Sequence, residues 1–347
     1  MAQASAAPVR VPAALASQPA CSPLVDRGAD PSKRTLSRMT GSFMAEPAQP
    51  PKVFAFVFPL ASGHINPSLP IARLLVQRGH EVHYLCREQM RGAIEDTGAT
   101  FHSDVEVERE LYDGREPDLP GAMESLKVEF GLTSDDMLTA MGKLLPIQLE
   151  LKLPGMLRWL RTIGAHCVAY CPMLNLEAAY AGGALGVPSV ALLTTAGPGS
   201  LERAMAEMTA AFGTTEEQVC EAVRAYEPHH MAVRRLKDNF GVTFDSFVEK
   251  PFGRMGVLRH SRVTLVTTSE ELQDPASDEL MEAYRRDGVE FVAVGPLLDE
   301  AGATRAAGHR EKISEGDTAG RHVDGAAVVS RVKAAKAAGR RVVLVSM

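Results

Sequence analysis

Ordered patterning begins after a proline-rich stretch ending at Pro51, where residues 53–58 form the unbroken apolar run of a strand buried on both faces. A loop over 59–66 follows, and Pro67 then stands at a favourable helix start, with Ile71, Leu74 and Leu75 recurring at helical spacing until Gly79. A second strand is predicted over 81–86, and a second helix over 87–96 with Gly98 as its stop. Strands and helices alternating through short connections predict a parallel sheet with right-handed crossovers. Residues 105–164 lose that rhythm. They are predicted helical but irregular, because the amphipathic stretch 145–160 contains Pro146 and Pro154, each of which removes a backbone donor. The alternation resumes with a strand at 167–170, a small-residue helix over 175–185 and a strand at 189–193. Residues 200–260 are predicted mainly helical, and strands follow at 263–267 and 290–294, the last ending at Gly295-Pro296.

The predicted fold class is therefore α/β, a Rossmann-like parallel sheet with helices on both faces, spanning residues 51–298. Residues 1–50 are read as a disordered or targeting segment, with Met39 and Met44 as further possible starts. Residues 299–325 are polar and Gly-rich without an apolar period, which describes an interdomain linker. A helix over 326–338, stopped by Gly339, and a buried strand over 341–346 come next. One helix and one strand cannot bury a core of their own, so 326–347 read as the opening of a second domain that the chain does not complete.

Composition narrows the partners. An apolar content of 45% supports a sizeable core, and a net charge of -6 supplies no broad basic field for a phosphate backbone, so nucleic acid is not expected as a partner. The five cysteines, odd in number and without paired spacing, fit reduced thiols rather than a disulfide framework, and none has zinc-site spacing. No stretch approaches the ~20 apolar residues of a membrane-spanning helix, so no integral membrane segment is expected. Cytoplasmic localisation is the expectation, with an organelle transit peptide and peripheral membrane association left open.

The segment Ala61-Ser62-Gly63-His64-Ile65-Asn66-Pro67 sits at the carboxyl end of the first strand, where open parallel sheets bind ligands. A histidine there can accept a proton near neutral pH, and the glycine beside it admits a substrate close to the backbone. A solvated or capping loop histidine is the competing reading. There is no Asp-x-Asp, no G-x-G-x-x-G after the first strand, no G-x-x-x-x-G-K-[ST] and no G-x-S-x-G, which removes the main support for metal-dependent single-domain transferases, dinucleotide oxidoreductases, P-loop enzymes and hydrolases.

Residues 63–84, GHINPSLPIARLLVQRGHEVHY, are similar to the amino-terminal signature of family 1 UDP-glycosyltransferases and of bacterial macrolide and lipid-linked glycosyltransferases of the two-domain GT-B fold. Leu185-Gly186-Val187-Pro188-Ser189-Val190 followed by Thr194-Thr195-Ala196-Gly197-Pro198 resembles the same family's helix-to-strand junction, and FVAVGP at 291–296 resembles the end of its first domain. The resemblance implies an inverting enzyme that transfers a sugar from a UDP-sugar to a hydroxyl of a small lipophilic acceptor. It makes His64 the general base, and it places Ser62, Gly63, Asn66 and Thr195 among the substrate-binding residues. No cofactor or metal is implied, the UDP-sugar being a donor substrate. The donor-binding domain is expected to be missing, leaving an incomplete fragment with little activity alone.

One position departs from the pattern. Family members orient the histidine with an aspartate just after the strand at 167–170, where this chain has Cys171. A thiol does not stabilise an imidazolium as a carboxylate does, so a substitute acid is the first expectation, a displaced alignment or a weaker base being the others. Met205, Met208 and Phe212 are possible linings of an acceptor pocket, with core packing as the competing reading. Two other functions stay open: a non-catalytic binding or partner protein of the same fold, and an NAD(P)-dependent oxidoreductase.

Overall fold

The computed structural model describes residues 50–116, 119–246, 248, 251–297 and 325–340. The chain divides after Leu298 into two compact units. The first is built on seven strands: β1 Val53–Val57, β2 Glu81–Cys86, β3 Thr100–Ser103, β4 Cys167–Tyr170, β5 Ser189–Leu193, β6 Ser261–Val266 and β7 Phe291–Ala293. They lie in the order β3-β2-β1-β4-β5-β6-β7, and every neighbouring pair is parallel. The order reverses at β1, which has β2 on one side and β4 on the other.

Alternation along β1 shows why helices must cover both faces. Ala55 and Val57 pack into one apolar cluster with Leu153, Met156 and Leu160, whereas Phe56 and Phe58 pack into another with Ile65, Leu69 and Ile94. The second cluster is supplied by α1 Ser62–Ile65, α2 Leu69–Gln77 and α3 Arg91–Glu95. The loop expected over 59–66 is thus helical from Ser62 onward, continuing through a 3-10 turn at Asn66–Ser68 in which Pro67 stands at the helix start. The short strand β3 was not predicted: its four residues, Thr-Phe-His-Ser, bury only Phe101 and carry too little apolar pattern to be read.

After α4 Asp104–Val107, α5 Arg109–Tyr112 and α6 Leu119–Glu129 comes α7 Met137–Ile163, a single helix of 27 residues that contains both Pro146 and Pro154. The predicted irregularity is therefore corrected. Each proline costs a backbone hydrogen bond, but Leu144, Leu149, Leu153, Met156, Trp159 and Leu160 are buried along the helix, and that packing holds it across both sites. Asp136 caps its start by accepting from the Thr139 N–H at 3.0 Å, and Gly164 ends it with φ 64°. The small-residue helix α8 Leu176–Leu185 follows β4. The helical region 200–260 resolves into α9 Ser200–Phe212, α10 Glu216–Arg224 and α11 Glu227–Phe240, and α12 Asp278–Arg286 leads into β7.

In the second unit the described residues form α13 Gly325–Ala337, ended by Gly339 at φ 70°. Residues 1–49 of the segment predicted over 1–50, most of the linker over 299–325 and the predicted strand at 341–346 lie outside the described residues. No helix among the described residues is long and apolar enough to cross a membrane.

Candidate functional site

Three adjacent strand ends converge beside α1. His64 follows β1, Cys171 is the first residue beyond β4, and Thr194 is the first beyond β5. The His64 Nδ1 lies 3.0 Å from Thr194 Oγ1 and 3.3 Å from Cys171 Sγ. Because the strand order reverses between β1 and β4, this point is the crevice at the carboxyl ends where open α/β sheets take ligands. His64 stands out in the sequence by its loop and Cys171 through the family resemblance; Thr194 belongs to the run 194–198 of that resemblance, and no local pattern ties it to the ring.

Electrostatics at the ring follow from burial. His64 is half-buried, and desolvation holds its imidazole below the ordinary histidine value. Cys171 is fully buried, which pushes its thiol up to about 11 despite the favourable backbone N–H groups of Met173 and Leu174. Near neutral pH a neutral imidazole therefore faces a neutral thiol and a hydroxyl. No carboxylate bonds to His64 among the described residues, so the substitute acid expected from sequence does not appear there. Glu177 acts on Cys171 electrostatically, but its Oε1 accepts from Lys152 Nζ at 3.2 Å and from Asn175 Nδ2 at 2.9 Å.

Thr195 stands next to Thr194 but turns elsewhere, its Oγ1 lying 2.6 Å from Ser200 Oγ, which in turn donates to the Gly197 carbonyl at 2.7 Å. The loop is clamped from the far side. The Asp274 N–H donates to the Ala196 carbonyl at 2.6 Å, and a Cβ on Gly199 would fall 2.3 Å from the Pro275 carbonyl oxygen, so only glycine permits this approach. Ser62 and Gly63 are exposed on α1, and a Cβ on Gly63 would meet nothing within 4 Å. Asn66 is half-buried, its backbone N–H donating to the Ser62 carbonyl.

An apolar cavity of about 100 Å³ opens beside this point, lined by Met123, Met141, Leu145, Leu149, Met173 and Leu174, with Lys152 and Glu177 in its wall. The residues suggested from sequence are placed differently. Met205 is buried in a core cluster with Val219 and Phe252, Met208 packs against the same cluster, and Phe212 is exposed. A larger cavity of about 480 Å³ is lined by Tyr180 of α8 and by Arg259 and His260, the two residues just before β6 and so at the sheet end opposite His64. There the buried Asp245 holds Arg259 Nε at 3.1 Å, with Tyr180 Oη and His260 Nε2 each at 3.3 Å, an arrangement that satisfies a buried carboxylate. Among the described residues no group of His, Cys, Asp and Glu is arranged to hold a metal ion.

No protein-family profile matches the chain, and no curated protein matches it. Solved structures do. The chain is similar to the glycotransferase of kitacinnamycin, with 22% identity and a TM-score of 0.44 over 72% of this chain and 52% of that one. It is similar to the calicheamicin glycosyltransferase CalG4, with 17% identity and a TM-score of 0.48 over 72% and 53%. A third is the glycosyltransferase SnogD from Streptomyces nogalater, with 19% identity and a TM-score of 0.35 over 66% and 51%. The chain spans about half the length of each of these proteins.

Proposed function

We propose that this chain carries the acceptor-binding domain of an inverting GT-B glycosyltransferase, which moves a sugar from a UDP-sugar to the hydroxyl of a small lipophilic acceptor. The observation that carries this reading is the placement of His64. Its Nδ1 is occupied by Thr194 and Cys171, so Nε2 is the nitrogen left for a ligand in the crevice at the end of β1. The similarity of residues 63–84 to the family signature supports the same assignment.

In the proposed reaction the acceptor O–H donates to Nε2, and its proton passes to the ring as the oxygen attacks the anomeric carbon. The new C–O bond forms as the bond to the diphosphate breaks on the opposite face, which inverts the centre. An alcohol is a poor nucleophile until its proton has somewhere to go, and a neutral imidazole supplies that acceptor. Ser62, Gly63 and Asn66 would line the acceptor side and Thr195 the donor side, while the methionine-lined cavity suits an apolar acceptor body.

The test is His64→Ala in the full-length protein, assayed with uridine and thymidine diphosphate sugars against sterol, phenolic and polyketide acceptors. Loss of about 10²- to 10⁴-fold in kcat is expected, and an unchanged rate overturns the assignment. The neutral partners of His64 favour one second reading, a binding protein of the same fold. It predicts acceptor binding without turnover in the full-length protein, unaffected by the His64 change.

A further inference from the structure

Two side chains share one nitrogen of His64, and a neutral imidazole carries its single proton on one nitrogen or the other. Were Nδ1 bare, it would accept from the Thr194 hydroxyl or the Cys171 thiol, and Nε2 would hold the hydrogen and be unable to accept another. With the hydrogen on Nδ1, both the Thr194 oxygen at 3.0 Å and the Cys171 sulfur at 3.3 Å can accept it, the oxygen being the closer and the better acceptor. That arrangement also survives proton uptake at Nε2, because the imidazolium keeps its Nδ1–H and nothing has to turn. Cys171 stays protonated in its buried position and offers only a weak acceptor.

We propose that Thr194 is a positioning residue: its hydroxyl accepts a hydrogen bond from Nδ1–H of His64 and holds the ring in the tautomer whose Nε2 is free to take a proton. A neutral hydroxyl thus fixes ring and tautomer, the task a carboxylate performs in His–Asp pairs, without adding charge. Thr194 is suited to it by its support. The loop that begins with it is pinned by the Ala196–Asp274 hydrogen bond, by Ser200 and by the close pass of Gly199 under Pro275. The inference rests on the reading of His64 as a general base only for its purpose; the tautomer itself is a property of the unliganded chain.

The experiment is imidazole nitrogen spectroscopy of the chain carrying isotope-labelled histidine near neutral pH, with His64 assigned by the signal lost in His64→Gln. Wild type and Thr194→Ser are expected to show Nδ1–H with an unprotonated Nε2. Thr194→Val and Thr194→Ala are expected to lose that tautomer, with the signals of the remaining histidines unmoved as a record of an intact fold. A wild-type ring protonated on Nε2 overturns the proposal, whether or not the variants fold, and so does an Nδ1–H tautomer that persists in a folded Val or Ala variant. The measurement needs neither donor nor acceptor. A rate-neutral His64→Ala would therefore remove the enzymatic reading and leave the tautomer result standing, and the reverse outcome would do the opposite.

Discussion

A carboxylate beside an imidazole stabilises its charged form and raises its pKa; the hydroxyl of Thr194 and the thiol of Cys171 carry no charge with which to do so. Burial then acts unopposed, and the His64 value falls below the ordinary one. The ring stays neutral, and able to accept a proton, to a lower pH than about 6.5. Cys171→Asp supplies the missing charge, and it is expected to raise the His64 pKa and move the acid limb of the kcat/KM profile to higher pH. A titration of His64 in the variant that follows the wild-type curve would refute this. His64 was legible in the sequence because its loop follows the first apolar run, whereas Cys171 stood out only through the family resemblance, as the residue at the aspartate position. Thr194 was not, since its contact with His64 joins residues 130 positions apart and no local pattern records such a pairing.

Helix α7 shows how packing overrides propensity along one element. Its two prolines predict a break, yet the buried side along the sheet keeps it continuous. At Gly155 the helix runs against the turn after α4, where an added Cβ would fall 2.0 Å from the Val107 carbonyl oxygen. The obstacle is backbone on both sides and cannot rotate away. Gly155→Ala is expected to cost about 3 kcal/mol or more, read as a lower urea midpoint. Gly63→Ala, where a Cβ meets nothing within 4 Å, is expected to leave the midpoint in place. The other parallel strands were legible because each carries a compact apolar run; the edge strand β3 was not, because its pairing with β2 rather than its own residues makes it a strand.

Buried charge ties separate parts of the first unit together. Lys152 of α7 lies 3.4 Å from Glu108, between α4 and α5, and 3.2 Å from Glu177 of α8, all three nearly inaccessible. Burial opposes the Lys152 charge, but the two carboxylates outweigh it and hold the ammonium above the usual lysine range. Lys152→Met takes the ammonium away from the buried Glu177 and is expected to cost about 3–5 kcal/mol in chemical denaturation. Glu108 behaves oppositely: burial pushes its carboxyl well up, so the folded chain binds that proton more tightly than the unfolded one. The contribution to stability is therefore full below about 4.3 and is lost as pH rises through the raised folded value. Glu108→Gln keeps the shape without the charge, so it is expected to change stability by less than about 1 kcal/mol and to flatten that decline, as denaturation at several pH values would show. From the amino-acid order came the α/β class, most strand positions and the histidine at the rim, because alternation and apolar runs are local properties of a chain. The strand order, the pairing of His64 with Thr194, the continuity of α7 and the charge cluster under the cavity came only from folding, because each depends on distances between residues far apart in the chain.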